Sequence, residues 1–61
     1  MNIEKLRLMK TAYSPLYQQF ISIKSVRPDD NGIPIIDGEI NDNGKKRIVI
    51  FRECELKKFC L

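Results

Sequence analysis

Two Asn-Gly pairs, Asn31-Gly32 and Asn43-Gly44, stand twelve residues apart in a chain of 61. Asn and Gly accept the positive φ that tight hairpins demand, and Asn-Gly is the strongest short-range hairpin signal. Each pair ends a polar run, Asp29-Asp30-Asn31-Gly32 and Asn41-Asp42-Asn43-Gly44. The interval leaves room for one strand of roughly eight residues. The spacing therefore predicts a β-meander in which a middle strand is joined to both neighbours by tight turns.

The residues around the turns agree with this. Phe20 to Arg27 reads FISIKSVR; Ile21 and Ile23 share one face while Ser22 and Lys24 share the other, the period-two alternation of a half-buried strand. The middle strand, Ile33 to Ile40, reads IPIIDGEI. Ile33 and Ile35 lie on one face, Ile36 and Ile40 on the other, and a bulge near Pro34 to Gly38 would turn both sets inward. The third strand, Lys46 to Phe51, reads KRIVIF. It is apolar on both faces, with Ile48 and Ile50 against Val49 and Phe51. Such strands are usually covered on both sides, so a terminal segment or a partner is expected over one of them.

The ends carry weaker signals. In Ile3 to Lys10, IEKLRLMK, Leu6 and Leu8 alternate with Lys5 and Arg7, which predicts a first strand; Ile3, Leu6 and Met9 also fit helical spacing. Ser14-Pro15 breaks Thr11 to Gln19 into a loop carrying Tyr13, Leu16 and Tyr17. The tail, Arg52 to Leu61, fits a short helix with Leu56, Phe59 and Cys60 on one side, or a 3₁₀ turn ending at Leu56 before a last strand. The core expected from these readings is Leu6, Leu8, Ile21, Ile23, Ile35, Ile48, Ile50 and Leu56.

Five short strands, a longer first loop, two tight hairpins and a 3₁₀ turn before the last strand make an element order that resembles the SH3-like small β-barrels of bacterial, phage and translation-associated proteins. The resemblance spans nearly the whole chain. It rests on Tyr13-Ser14-Pro15-Leu16-Tyr17, the two Asn-Gly turns, and Phe51 leading into Arg52-Glu53-Cys54-Glu55-Leu56. The expected fold is a single all-β domain over residues 1–61, an SH3-like five-stranded barrel or strongly bent antiparallel sheet. The resemblance implies that the first long loop lines a partner groove. The chain has no Trp, the usual anchor of a proline-rich-peptide groove, so that ligand is not expected.

Composition narrows the chemistry. There is no His, which removes the usual general base and the commonest metal ligand. Cys54 and Cys60 alone fall short of a closed zinc site or a disulfide framework. Cys54 sits between Glu53 and Glu55, and neighbouring carboxylates disfavour a thiolate. Asp37 and Glu39 share a strand face beside a turn but have no partner base. Counting a calcium loop from Asp37 puts Asp42 where Gly is needed and Ile48 where a bidentate Glu is needed. No catalytic residue, metal site or cofactor is expected, and the chain is not expected to be an enzyme. No apolar run reaches the roughly 18 residues that span a bilayer, and Glu4, Lys5, Arg7 and Lys10 interrupt the first ten residues as no signal peptide does. A cytoplasmic protein without a membrane partner is expected.

The net charge of +3 conceals segregation. Residues 1–27 carry +4, residues 28–43 carry −5, and residues 44–61 carry +4. Lys45, Lys46 and Arg47 follow a turn, and with Lys57, Lys58, Arg7 and Lys10 they would converge on one basic face in a compact meander. The function expected from this is a non-catalytic binding module acting on a protein partner as an inhibitor or adaptor, through Tyr13, Tyr17, Lys45, Lys46, Arg47 and Arg52. The alternatives are a DNA- or RNA-binding protein using the basic segments, and a structural homo-oligomer that buries Val49 or Phe51 between subunits.

Overall fold

Backbone pairing in the computed structural model, which describes residues 2–61, builds one antiparallel sheet of five strands behind a short helix. In chain order the elements are α1 (Ile3–Leu8), β1 (Thr11–Ser14), β2 (Gln19–Pro28), β3 (Pro34–Asp42), β4 (Lys45–Arg52), a 3₁₀ turn (Glu53–Glu55) and β5 (Lys57–Cys60). The strands lie side by side as β4-β3-β2-β1-β5, which leaves β4 and β5 as the two edges. The all-β, five-stranded architecture expected from the turns is present, and the tail takes the 3₁₀-then-strand form.

The second Asn-Gly pair makes a two-residue hairpin. Asp42 pairs with Lys45, and Asn43 (φ 54°) and Gly44 (φ 83°) are both left-handed, the requirement of a type I′ turn. The first pair does something different. The Asp29 N–H donates to the Ile33 carbonyl at 2.9 Å and the Gly32 N–H to the Asp29 carbonyl at 3.0 Å, so residues 30–32 form a three-residue loop with Gly32 at φ 80°. Asp29 organises it by accepting from the N–H groups of Asn31 and Ile33 at 2.8 and 2.9 Å.

The N-terminal strand expected at Ile3 to Lys10 is instead a helix over Ile3–Leu8. Asn2 caps it, its Oδ1 accepting from the Lys5 N–H at 2.8 Å, and Glu4 sits in the first turn where the helix dipole favours an acid. The i, i+3 spacing of Ile3, Leu6 and Met9 governs burial: Leu6 is fully buried, Ile3 and Met9 half-buried, and Leu8 is 66% exposed. The place of the first strand is taken by Thr11–Ser14, within the segment expected to be a loop. Ser14-Pro15 ends that strand rather than excluding it, and the Ser14 hydroxyl caps the turn by accepting from the Tyr17 N–H at 3.2 Å.

The core is Leu6, Ala12, Ile21, Val26, Ile36, Ile40, Phe51 and Leu56. Only Leu6, Ile21 and Leu56 coincide with the expected set; Ile23 and Ile35 are half-buried, and Leu8, Ile48 and Ile50 are exposed. The reversal on β4 has a clear cause. The two-residue turn sets a register that runs without interruption from Asp42↔Lys45 to Ile35↔Arg52. That register puts Asp37 opposite Ile50 and Glu39 opposite Ile48. Burying carboxylates in an apolar core is costly, so their face of the hairpin turns outward, where Ser25, Arg27 and Lys46 reach them, and takes both isoleucines with it. Ile36, Gly38 and Ile40 then face inward with Val49 and Phe51. No bulge interrupts β3 against β4; β3 meets a register shift on its other side, against β2 at Ile23 to Ser25.

Phe51, 2% exposed, lies over Gly38 and meets Tyr17 edge-on at 5.9 Å between ring centroids. It belongs to the interior of this chain, which removes it from the subunit interface expected for it. Val49 is half-buried against the same core.

Candidate functional site

β4 is the longer of the two edge strands. Among the described residues no strand pairs with its outer side, so one side of an eight-residue strand presents backbone N–H and C=O groups to solvent. Two large apolar side chains stand on its outward face, Ile48 at 53% exposure and Ile50 at 60%. Ile35, half-buried, continues this apolar strip onto β3. Natural edge strands are usually short or blunted by charged side chains, Lys above all, by Pro or by a covering segment. This one has basic residues at its two ends and bare isoleucines in the middle.

Four of the six expected binding residues lie on this strand. Lys45, Lys46 and Arg47 follow the type I′ turn, and Arg52 closes the other end, roughly 23 Å away for seven residues of extended chain. Three of the four pair with carboxylates. Lys46 lies 3.9 Å from Glu39, Arg47 lies 3.4 Å from Asp42, and the Arg52 Nη1 donates to Asp29 Oδ2 at 2.9 Å. These exposed pairs contribute little to stability; their effect is to hold the cations along the edge.

The two tyrosines separate. Tyr17 lies in the turn between β1 and β2, packed on Phe51, where it closes the core. Tyr13 lies on the outward face of β1, edge-to-face with Phe20 at 5.3 Å, with the Lys58 ammonium 5.9 Å from its ring centroid. Phe20 is 57% exposed; the two rings meet because Tyr13 lies in strand β1, opposite Phe20, and not in the loop expected over Thr11 to Gln19. The basic segments do not gather into a single patch on the sheet: Lys45, Lys46 and Arg47 lie on one edge strand, Lys57 and Lys58 on the opposite one.

An open cleft of about 720 Å³ adjoins the Arg52 end of β4, with Ile33, Pro34, Leu56 and Phe59 as its apolar lining and the Asp29–Arg52 pair on its rim. Cys54 also borders it and is a free, exposed thiol, as is Cys60. No group of three or more potential metal-ligating side chains forms among the described residues. Among the described residues no helix is long and apolar enough to cross a membrane.

Two carboxyls are held below their ordinary values. For Asp29 the main cause is the Ile33 N–H, followed by the Arg52 guanidinium and the Asn31 N–H, with partial burial opposing them. For Asp37 it is the Ser25 hydroxyl, donating at 2.6 Å, and then Arg27 at 3.4 Å. A carboxyl with a depressed folded pKa stabilises the fold above its unfolded pKa of about 3.9, and that contribution disappears as pH falls through the folded value. Urea midpoints are therefore expected to hold steady from pH 7 to about 5 and to drop below about pH 4. Asp29→Asn should flatten this acid limb while lowering the midpoint at neutral pH, as measured by circular dichroism.

The exposed isoleucines are the functional candidates that sequence reasoning placed on the wrong side. The signal was present: a two-residue turn at Asn43-Gly44 pairs Asp37 and Glu39 with Ile50 and Ile48, and the carboxylates decide the face. Compared with known proteins, the chain matches no family model, no curated protein and no solved structure.

Proposed function

We propose that this chain is a non-catalytic binding module that engages a protein partner along the outer side of β4, acting in the cytoplasm as an inhibitor or adaptor. The observation that carries the reading is the unpaired eight-residue edge bearing Ile48 and Ile50 in water. Exposed main-chain groups supply affinity to an added strand, and side chains alternating along it supply specificity. The element order, with a 3₁₀ turn before the last strand, supports the SH3-like reading of the scaffold, on which loops and edges rather than a buried pocket carry function.

The test is a pair of substitutions that spares the core. Ile48→Thr/Ile50→Thr keeps β-branched residues on a solvent-facing surface, so stability should change by less than about 1 kcal/mol in total. A partner recovered stoichiometrically by the wild type should be lost by the double variant and kept by Phe20→Ser. Equal recovery by wild type and double variant would sink the reading.

The outward pair Tyr13 and Phe20, with Lys58 beside Tyr13 and Lys57 opposite it, favours a second reading, stacking of single-stranded nucleic acid. In that case oligonucleotide binding at about 50 mM salt should weaken steeply by 200 mM and be lost with Phe20→Ser. Absence of binding at the lower salt removes this reading.

A further inference from the structure

We propose that the partner of β4 is an extended segment with acidic residues flanking an apolar pair, added to the sheet as a sixth strand, and not a second copy of this chain. This inference rests on the reading of β4 as the binding edge and specifies what binds there.

The side chains of β4 that face outward are Lys46, Ile48, Ile50 and Arg52, alternating along the strand. A strand laid against them places its own side chains directly opposite, with Cβ atoms about 5 Å away. Apolar residues fit against Ile48 and Ile50, and carboxylates fit against Lys46 and Arg52. The recognised pattern is acid–x–apolar–x–apolar–x–acid, which reads the same in either chain direction. The acids that already partner the basic ends, Glu39 and Asp29, lie further in. Glu39 is on β3, two strand spacings or roughly 10 Å from an added strand, while physiological salt screens exposed charges over about 8 Å. Asp37, opposite Ile50, lies on β3 at the same remove, so an incoming segment meets the cations of β4 at close range and both carboxylates of β3 only through screening.

The same charges disfavour this chain as its own partner. Antiparallel pairing of two β4 strands that sets Ile48 against Ile50 sets Lys46 against Arg52 at both ends. Registers shifted by two residues put an isoleucine opposite a cation. The other free edge, β5, offers Lys57 and Lys58 over four residues, which again brings cation to cation. Like charges directly opposite one another are destabilising.

The test uses two capped heptapeptides, Glu-Thr-Ile-Thr-Ile-Thr-Glu and the same sequence with lysine at both ends, titrated to millimolar concentration at about 50 mM salt. Backbone amide shifts report the site. The expected result is saturable shifts in residues 45–52 with the acidic peptide, at least tenfold weaker binding of the lysine-ended one, and about tenfold weaker binding of the acidic peptide to Ile48→Thr/Ile50→Thr. Lys46→Gln should narrow the preference between the peptides without abolishing binding. Equal affinity for both peptides would overturn the acidic partner while leaving β4 as the edge. A dimer by sedimentation that Ile48→Thr/Ile50→Thr dissociates would overturn it in favour of a second copy. No β4 shift with either peptide would overturn it outright; the β4 reading would fall with it only if the double variant also kept the native partner.

Discussion

Replacing Phe51 with alanine is expected to leave this chain largely unfolded at 25 °C. Phe51 is the largest fully buried side chain, and truncating such a residue costs about 3–5 kcal/mol, the transfer of the ring plus the void it leaves. A single core in a domain of this size supplies rarely more than about 3–5 kcal/mol of net stability. The loss also strips Tyr17 of its edge-on partner and uncovers Gly38, which has no side chain to fill the space. Urea titration followed by circular dichroism should show no native baseline for Phe51→Ala. Ile50→Thr, one position away on the opposite face, should stay within about 0.5 kcal/mol of wild type. The contrast between neighbours is the signature of the face assignment: were Ile50 the buried residue, the two results would exchange.

Gly38→Ala is expected to be the second most damaging change, for the opposite reason. Gly38 has ordinary extended backbone, so its role is space rather than conformation. A methyl group there would lie 2.7 Å from Ile21 Cδ1, 2.9 Å from Phe51 Cε2 and 3.0 Å from Phe51 Cδ2. Both neighbours are buried, and the Phe51 ring is hemmed by Tyr17. The tip of Ile21 has rotamers to offer, whereas the ring must translate and carry β4 with it. Overpacking of this kind costs about 1–3 kcal/mol. The measured result should be a drop in urea midpoint with unchanged slope, and Gly38→Ala combined with Phe51→Leu should recover part of the loss. Additive destabilisation in that double variant would show that the two residues do not share the space.

The hairpin turn at Asn43-Gly44 was legible because it depends on two adjacent residues and one backbone conformation. Strand content followed from it. The faces were not, although their determinants were in the chain: Ile48 and Ile50 look as core-like as Val49 and Phe51 until Asp37 and Glu39 are paired across the turn. Pairing is a non-local fact, and one-strand alternation does not contain it. The N-terminal helix was obscured differently. Six residues are too few for periodicity to separate helix from strand, and Leu8 alternating with Lys5 and Arg7 imitated a strand while the cap at Asn2 went unused. Arg52 could be singled out on charge alone, but its partner Asp29 lies 23 positions upstream and is brought near only by the meander.

All of the functional account depends on β4 being an unoccupied edge, and residue-by-residue hydrogen exchange of its amides examines that directly. Along an antiparallel edge strand, alternate N–H groups bond to the neighbour and the others point to solvent. In dilute protein without partner, the amides of residues 45–52 should fall into two sets, one protected by β3 and one exchanging at rates close to those of unprotected chain, with the second set slowed when the acidic heptapeptide is added. Protection of both sets in the dilute, partner-free chain would contradict the account, because it would mean that the outer side of β4 is already paired.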